Sequence, residues 1–188
     1  MENEIIDKLI QNIVDGKIVS FPTETVYALS CNVNNIDAIN KIYELKNRPK
    51  NKLFSIFVDI DFLNDYVVYD NNLKNFIYNE LYDGTTIIFN KKNNKVLPYI
   101  EGDTIGIRYP KHNFTRLLLK KLGNSPIVAT SVNKSGEMPI CDYSEIMKNF
   151  SDIDFVVDND LLKNDDVMSG RPSRIVSVVD CDVVVVRE

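Results

Sequence analysis

Segments in which apolar residues recur at helical spacing alternate with short apolar runs along almost the whole chain. Residues 1–15 carry aliphatic side chains at helical spacing, and Gly16 follows as a stop signal. Residues 53–58 are almost continuously apolar, which is typical of a strand covered on both faces. Because helices and strands alternate, we expect an α/β fold with a twisted mixed sheet flanked by helices.

The same patterns predict bounds for the other elements. Asn35 and Asp142 are expected to cap helices, and Gly123 is expected to end one. The polar segment 162–172 is expected to be a mobile loop. Helices are predicted over residues 1–15, 35–46, 71–82, 113–122 and 142–150. Strands are predicted over residues 17–21, 53–58, 86–90, 105–109, 126–130, 154–157, 174–179 and 183–186.

Composition limits the function classes. The 188 residues, 44% of them hydrophobic, suit one compact domain over residues 1–188. A net charge of −5 argues against a protein that mainly coats nucleic acid, so any anion-binding surface has to be local. With no bilayer-length apolar run and no signal-peptide pattern, we expect a cytoplasmic protein without a membrane contact.

Cysteine and histidine content points away from metal chemistry. Cys31, Cys141 and Cys181 are far apart without a Cys-x-x-Cys pair, which favours reduced thiols over a disulfide framework or a zinc site. His112 is the sole histidine of the sequence. A place at a helix start or on the surface is a commoner use of a lone histidine than zinc binding or a Ser-His-Asp triad.

Polar side chains follow a strand at Thr23 and Thr25, directly after Pro22. Ligands of open α/β sheets usually lie where strands end, so these hydroxyls could bind a small polar substrate. Threonines in this position more often satisfy the backbone groups of a turn. The segment by itself favours the turn.

Four cations, Lys46, Arg48, Lys50 and Lys52, lie within seven residues at a predicted helix end. A solvated last helical turn accounts for Lys46 and partly for Arg48, because cations complement the helix dipole there. Lys52 lies at the mouth of a buried strand, which the dipole does not explain. The cluster also suits a polyphosphate, since Arg binds oxygens bidentately and Lys supplies a point charge.

Two further strands carry polar groups. Arg108 lies in an otherwise apolar strand, where a charge is costly unless it is paired or faces a cavity. A structural ion pair and a carboxylate-binding role are equally compatible with it. Ser131 and Asn133 share one face and precede Gly136, as in a capping turn or a nucleotide site. No P-loop, dinucleotide-binding or nucleophile-elbow motif occurs, so a phosphate site would need another cradle.

In chain order, these segments resemble the YrdC-domain family of threonylcarbamoyl-AMP synthases. The resemblance runs from about residue 16 to the C-terminus, and five motifs in sequence order are far more specific than any one. The matching stretches are residues 16–27 (GKIVSFPTETVY), Lys46-x-Arg48, residues 106–110 (GIRYP), Ser131-x-Asn133, and a closing segment with Pro172, Ser173, Ile175, Asp180 and Arg187.

The resemblance implies that L-threonine, bicarbonate or CO2, and ATP with its Mg2+ give threonylcarbamoyl-AMP and pyrophosphate. It implies that a separate tRNA threonylcarbamoyltransferase takes the product for a modification beside the anticodon, and that this chain binds tRNA weakly at most. No metal site of the protein itself is expected. The open alternatives are an RNA-binding module of the same fold and a carbamoyl-transfer domain of hydrogenase maturation, which occurs in much longer chains.

Residue roles also follow from the resemblance. Lys46 and Arg48 would be catalytic, since they would hold ATP phosphates and the charge that develops on them. The remaining roles fall to two groups. ATP would also be bound by Lys52, Ser131, Asn133, Ser173 and Arg187, and threonine by Thr23, Thr25, Arg108 and Ser131.

Overall fold

Helices and strands alternate in the computed structural model, which describes residues 1–93, 97–162 and 168–188. Residues 163–167 of the expected loop lie outside the described residues. The helices are α1 (Glu2–Val14), α2 (Ile36–Leu45), α3 (Leu63–Tyr66), α4 (Lys74–Tyr82), α5 (Asn113–Leu122) and α6 (Tyr143–Asn149). The strands are β1 (Val19–Phe21), β2 (Ala28–Ser30), β3 (Ser55–Phe57), β4 (Val67–Val68), β5 (Thr86–Lys91), β6 (Thr104–Arg108), β7 (Ile127–Ser131), β8 (Phe155–Val156), β9 (Ile175–Ser177) and β10 (Val184–Arg187).

The described strands form one mixed sheet in the order β10-β9-β5-β6-β3-β7-β2-β1-β8, with β4 beside β5. Pairings β3–β6, β5–β9 and β1–β8 are parallel, and the other pairings between these strands are antiparallel. The predicted α/β class is therefore confirmed, and so is the mixed character of the sheet.

Helices cover both faces of the sheet. The consecutive residues Ile56 and Phe57 of β3 belong to different core clusters, because side chains alternate along a strand. Ile56 packs in the cluster that contains buried residues of α2, α4 and α6. Phe57 packs in the cluster of α1 and α5. A strand within residues 53–58 is confirmed as the three-residue β3, in which Ile56 and Phe57 are buried and Ser55 is half-buried.

Capping follows the sequence signals. The Asn35 side chain accepts a hydrogen bond from the Ala38 N–H at 3.0 Å at the start of α2. Asp142 accepts one from the Glu145 N–H at 2.8 Å at the start of α6. Gly123 ends α5 with a φ of 59°, a left-handed conformation that glycine adopts without a Cβ penalty.

Some elements differ from the prediction. The strands β2 and β4 were not predicted, because two or three residues are too few to show a period of two. The segment 71–82 begins as a 3₁₀ turn over residues 71–73 before α4 starts. His112 lies at the start of α5 but is fully buried, so a surface position is excluded. In the described ranges, no helix has both the length and the apolarity needed to cross a bilayer.

Candidate functional site

A cavity of about 380 Å³ runs along one face of the sheet beside the turn that follows α2. Strand register builds its floor, since directly paired residues point to the same face. Arg187 pairs with Ile175, Ile175 with Thr86, Thr86 with Arg108, and Arg108 with Phe57. All five of these residues line the cavity. Seven of the ten predicted site residues line it as well: Lys46, Arg48, Arg108, Ser131, Asn133, Ser173 and Arg187.

Lys46 makes three hydrogen bonds that hold one wall of the cavity together. Only 1% of the residue is exposed, and its Nζ donates to the carbonyl oxygens of Ser131 and Asn133 and to Asn133 Oδ1. These acceptors match the three N–H groups of an ammonium. Burial and the neighbouring Arg48 lower the pKa of Lys46 to about 7. The side chain therefore joins the end of α2 to the turn after β7.

The turn after β7 is held by its own side chains as well. Ser131 Oγ donates to Asn133 Oδ1 at 2.6 Å, and Asn133 Nδ2 donates to the carbonyl oxygens of Lys134 and Glu137 at 2.8 Å each. The Ser135 N–H donates to the Lys46 carbonyl at 2.7 Å. The Lys46-x-Arg48 and Ser131-x-Asn133 segments thus form one hydrogen-bonded unit, although they lie far apart in the sequence.

Arg48 is half-buried and braces the chain that leads into β3. Its Nε donates to the Lys52 carbonyl at 2.9 Å and its Nη2 to the Leu53 carbonyl at 2.8 Å. The guanidinium carbon lies 5.0 Å from the centre of the Phe54 ring. Burial lowers the pKa of Arg48. A guanidinium has five N–H groups, so further donors remain for a ligand.

Arg108 lies on the cavity floor and is 8% exposed. Its Nη2 donates to Glu24 Oε1 at 2.7 Å and to Thr25 Oγ1 at 2.6 Å. Its buried Nε has no hydrogen-bond partner within the described chain. An unpaired buried donor is costly and in a native protein calls for a ligand or a water. Arg108 therefore forms a structural ion pair through Nη2, and its guanidinium has further N–H groups besides those on that nitrogen.

Arg187 and Ser173 form the wall contributed by the C-terminal strands. Arg187 donates from Nε at 3.1 Å and from Nη2 at 2.7 Å to the Ser173 carbonyl. The Ser173 hydroxyl lies 2.8 Å from Thr86 Oγ1. Burial and the charge of Arg108 lower the pKa of Arg187. An anion between these two arginines would relieve their repulsion.

Thr23, Thr25 and Lys52 are not among the residues that line the cavity. Thr23 is fully buried, and its hydroxyl donates to the Val26 carbonyl at 2.7 Å, so it serves the turn. Thr25 reaches the cavity only through its contact with Arg108. Lys52 is exposed, and its contact with Arg48 is made by its carbonyl oxygen.

The structure adds residues that the motifs did not indicate. Ser55, Thr86 and Glu137 line the cavity, and Glu24 lies behind Arg108. Ser55 was visible in the sequence as a polar residue inside an apolar run. A Cβ on Gly106 would lie 2.4 Å from Ser55 Oγ, so this glycine makes room for a lining side chain.

The lining is electropositive. The lining residues of the described chain include one acidic side chain, Glu137, and four cationic ones: Lys46, Arg48, Arg108 and Arg187. Such a cavity concentrates anions. Across residues 1–93, 97–162 and 168–188, no group of three or more His, Cys, Asp or Glu side chains is placed to hold a metal ion.

Comparison with known proteins yields a family match. The family model named for Sua5, YciO and YrdC, described as "Telomere recombination", matches residues 11–188. A Methanocaldococcus jannaschii protein with a provisional assignment as threonylcarbamoyl-AMP synthase is 31% identical over 187 residues, which cover 98% of this chain and 86% of that protein. The threonylcarbamoyl-AMP synthase of Buchnera aphidicola is 31% identical over 155 residues, covering 79% and 80%.

A solved structure shares the fold. The structure of P. abyssi Sua5 complexed with L-threonine superposes with a TM-score of 0.74 at 24% identity. The match covers 94% of this chain, which spans 51% of the Sua5 chain.

Proposed function

Because the chain belongs to the Sua5/YciO/YrdC family, we propose that it synthesises threonylcarbamoyl-AMP and pyrophosphate from L-threonine, bicarbonate or CO2, and ATP. Two relatives with that assigned activity align with more than three quarters of this chain. The observation that carries the proposal is the cationic cavity in which Lys46, Ser131 and Asn133 form one hydrogen-bonded unit beside Arg48. We further propose that residues 1–188 act as one domain in the cytoplasm.

ATP is assigned to the part of the cavity between α2 and β10. Arg48 offers its remaining N–H groups to phosphate oxygens, which a guanidinium binds bidentately. Lys46 places its charge below the turn after β7 and holds Ser131 and Asn133 in position. Ser173 and Arg187 bind the nucleotide from the opposite wall, and Lys52 adds a charge at the rim.

Threonine is assigned to the floor around Arg108. The threonine carboxylate binds the guanidinium of Arg108, Ser131 supplies a polar contact for the rest of the amino acid, and Thr25 contributes through its hydrogen bond with Arg108. Thr23 supports Thr25 from a distance of 3.0 Å between their hydroxyl oxygens. A site that hydrogen-bonds the threonine hydroxyl discriminates strongly against an analogue without it.

The reaction needs positioning and charge stabilisation. The threonine amine, once deprotonated, adds to CO2 and loses a second proton to give a carbamate. A carbamate oxygen then attacks the α-phosphorus, and the bond from that phosphorus to the α,β-bridging oxygen breaks, so that pyrophosphate leaves in line with the electron pair of that bond. Arg48 and Lys46 stabilise the negative charge that grows on the leaving group.

Mg2+ supplies charge neutralisation on the phosphates when ATP is bound. The residues present fit an ion that arrives with ATP, since Mg2+ usually keeps several waters and binds through phosphate oxygens. Glu137 is the acidic residue among the described lining residues.

The product would pass to a separate enzyme that transfers the threonylcarbamoyl group to tRNA. An acyl phosphate anhydride is reactive, so a consumer that acylates an amine on the tRNA is required. The competing function is an RNA-binding module without catalysis. The buried, hydrogen-bonded Lys46 favours the synthase over the RNA-binding module, because a buried ammonium is a poor contact for a large polyanion.

Pyrophosphate release tests the function directly. We expect release that depends on ATP, L-threonine and bicarbonate together, measured with each left out in turn. Replacing L-threonine by L-valine should reduce the rate strongly, because valine has a methyl group in place of the threonine hydroxyl and leaves the hydrogen-bonding group of the site without a partner. Equal release without threonine would indicate a plain nucleotidase, and no release combined with tight tRNA binding would indicate an RNA module.

A further inference from the structure

Glu24 lies behind the cavity in the loop between β1 and β2. Its Oε1 accepts from Arg108 Nη2 at 2.7 Å, and its Oε2 accepts from the His112 backbone N–H at 3.4 Å. The side chains of Glu24 and Arg108 are only 17% and 10% exposed. Two poorly solvated charges with a short contact hold each other in place, and removal of one leaves the other buried without a counter-charge.

Gly84 faces this ion pair from the turn between α4 and β5. The residue is buried and has a φ of +81°. A Cβ at this position would lie 2.6 Å from Glu24 Oε1. That separation is too short for two unbonded atoms, so any side chain here would displace the carboxylate. The glycine thus provides the space that Glu24 occupies.

The contact fixes the direction of the guanidinium. Glu24 and Thr25 both accept from Nη2 of Arg108, so this nitrogen is committed to the protein. Nε is buried without a hydrogen-bond partner in the described chain, and the remaining N–H groups of the guanidinium belong to a residue that lines the cavity. A donor held in place before its ligand arrives saves the entropy of ordering it on binding.

We propose that Glu24 is a positioning residue for Arg108 and that Gly84 makes this possible, so that the turn between α4 and β5 sets the affinity for the amino-acid carboxylate. The inference rests on the proposed function only for the identity of that carboxylate. Glu24 touches no substrate in this proposal and acts through Arg108.

Kinetics with varied L-threonine test the proposal on Gly84→Ala, Glu24→Ala and Glu24→Gln. For the first two variants we expect a threonine KM at least tenfold higher, with kcat within threefold and the ATP KM unchanged. Glu24→Gln should recover part of the affinity, because its amide oxygen still accepts from Nη2. A threonine KM within twofold of the wild type in both Gly84→Ala and Glu24→Ala would overturn the proposal.

Gly123→Ala is the matched control. Gly123 also has a positive φ, of +59°, but an added Cβ there meets no atom within 4 Å. This variant carries the backbone strain without the collision, so its threonine KM should equal that of the wild type. An equal rise in both glycine variants would assign the effect to backbone strain and contradict the proposal.

Urea unfolding of the double variant Glu24→Ala/Gly84→Ala tests, without any substrate, whether an added Cβ at position 84 collides with the Glu24 carboxylate. If Gly84 makes room for the Glu24 carboxylate, Gly84→Ala lowers the urea midpoint less in the Glu24→Ala background than in the wild type. Equal shifts in both backgrounds would refute the collision. A wild type that uses no threonine would instead refute the proposed function, while this comparison still decides the contact.

Discussion

Two arginines of this chain make the same kinds of contact but occupy different places. Arg48 and Arg116 are both half-buried, and each donates to two backbone carbonyls and lies against an aromatic ring. Arg48 lines the cavity, whereas Arg116 lies on α5 and is not among the lining residues. The pair therefore separates the structural contribution of an arginine from its contribution to catalysis.

Arg48→Ala should abolish pyrophosphate release and leave the protein folded. Loss of a preorganised charge at the leaving group costs ~100- to 1000-fold in rate. Each lost backbone contact costs about 1 kcal/mol of unfolding free energy. Arg116→Ala should lose similar stability and keep its turnover. Melting curves and pyrophosphate release on the same samples check this, and normal turnover of Arg48→Ala would remove this arginine from the reaction.

Lys46 should make stability depend on pH. Burial and Arg48 lower its pKa from 10.5 to about 7 in the folded protein. Between these values the unfolded chain binds more protons, so the unfolding free energy rises with pH across this window. Urea unfolding from pH 6 to 10 should show this rise in the wild type relative to Lys46→Met. A constant difference between the two proteins would mean that Lys46 keeps an ordinary pKa.

At the scale of the elements, the turn from α2 to β3 places Lys46 and Arg48 at the cavity. Asn47 between them has a φ of +47°, and the N–H of Arg48 donates back to the Tyr43 carbonyl at 2.9 Å. Asparagine tolerates this left-handed conformation better than most residues. The middle position of the Lys-x-Arg motif is thus constrained by backbone geometry.

Asn47→Val should lower the unfolding free energy by ~1–2 kcal/mol, because a β-branched residue is strained at positive φ. Asn47→Gly should be close to the wild type in stability, since glycine adopts this conformation freely. Denaturant titrations of both variants check the prediction. Equal stability of the two would show that the turn relaxes without cost.

Much of this element structure could be read from the sequence. Periodicity and caps predicted α2 and α6 within one residue at each end, because each signal is local. The strand order that brings Arg187 and Arg108 to one face, through β9 and β5, could not be predicted, because it depends on the packing of the whole chain. Family motifs identified both arginines, but the role of Glu24 became visible only with the ion pair in the structure.

At the scale of the whole molecule, charge is the feature that bears on partners. The chain carries a net charge of −5, and the cavity cations are largely occupied by protein acceptors. A large polyanion such as tRNA therefore meets an acidic surface with a small cationic opening.

Free tRNA should bind weakly, and its affinity should fall only gradually as salt rises, because the salt dependence grows with the number of neutralised phosphates. Few phosphates can be neutralised, so the release of counterions contributes little to the affinity. Filter binding or fluorescence anisotropy from 50 to 300 mM salt measures this. Tight binding that persists at high salt would favour the RNA-module function instead.

The wide spacing of the cavity residues along the sequence also has a consequence for folding during synthesis. The cavity takes residues from Val26 near one end of the sequence to Arg187 on β10. Synthesis proceeds from the N-terminus, so one wall is missing until residue 187 has left the ribosome. ATP and threonine can stabilise only a chain that already binds them. Nascent chains must therefore reach a folded state before their substrates can stabilise it.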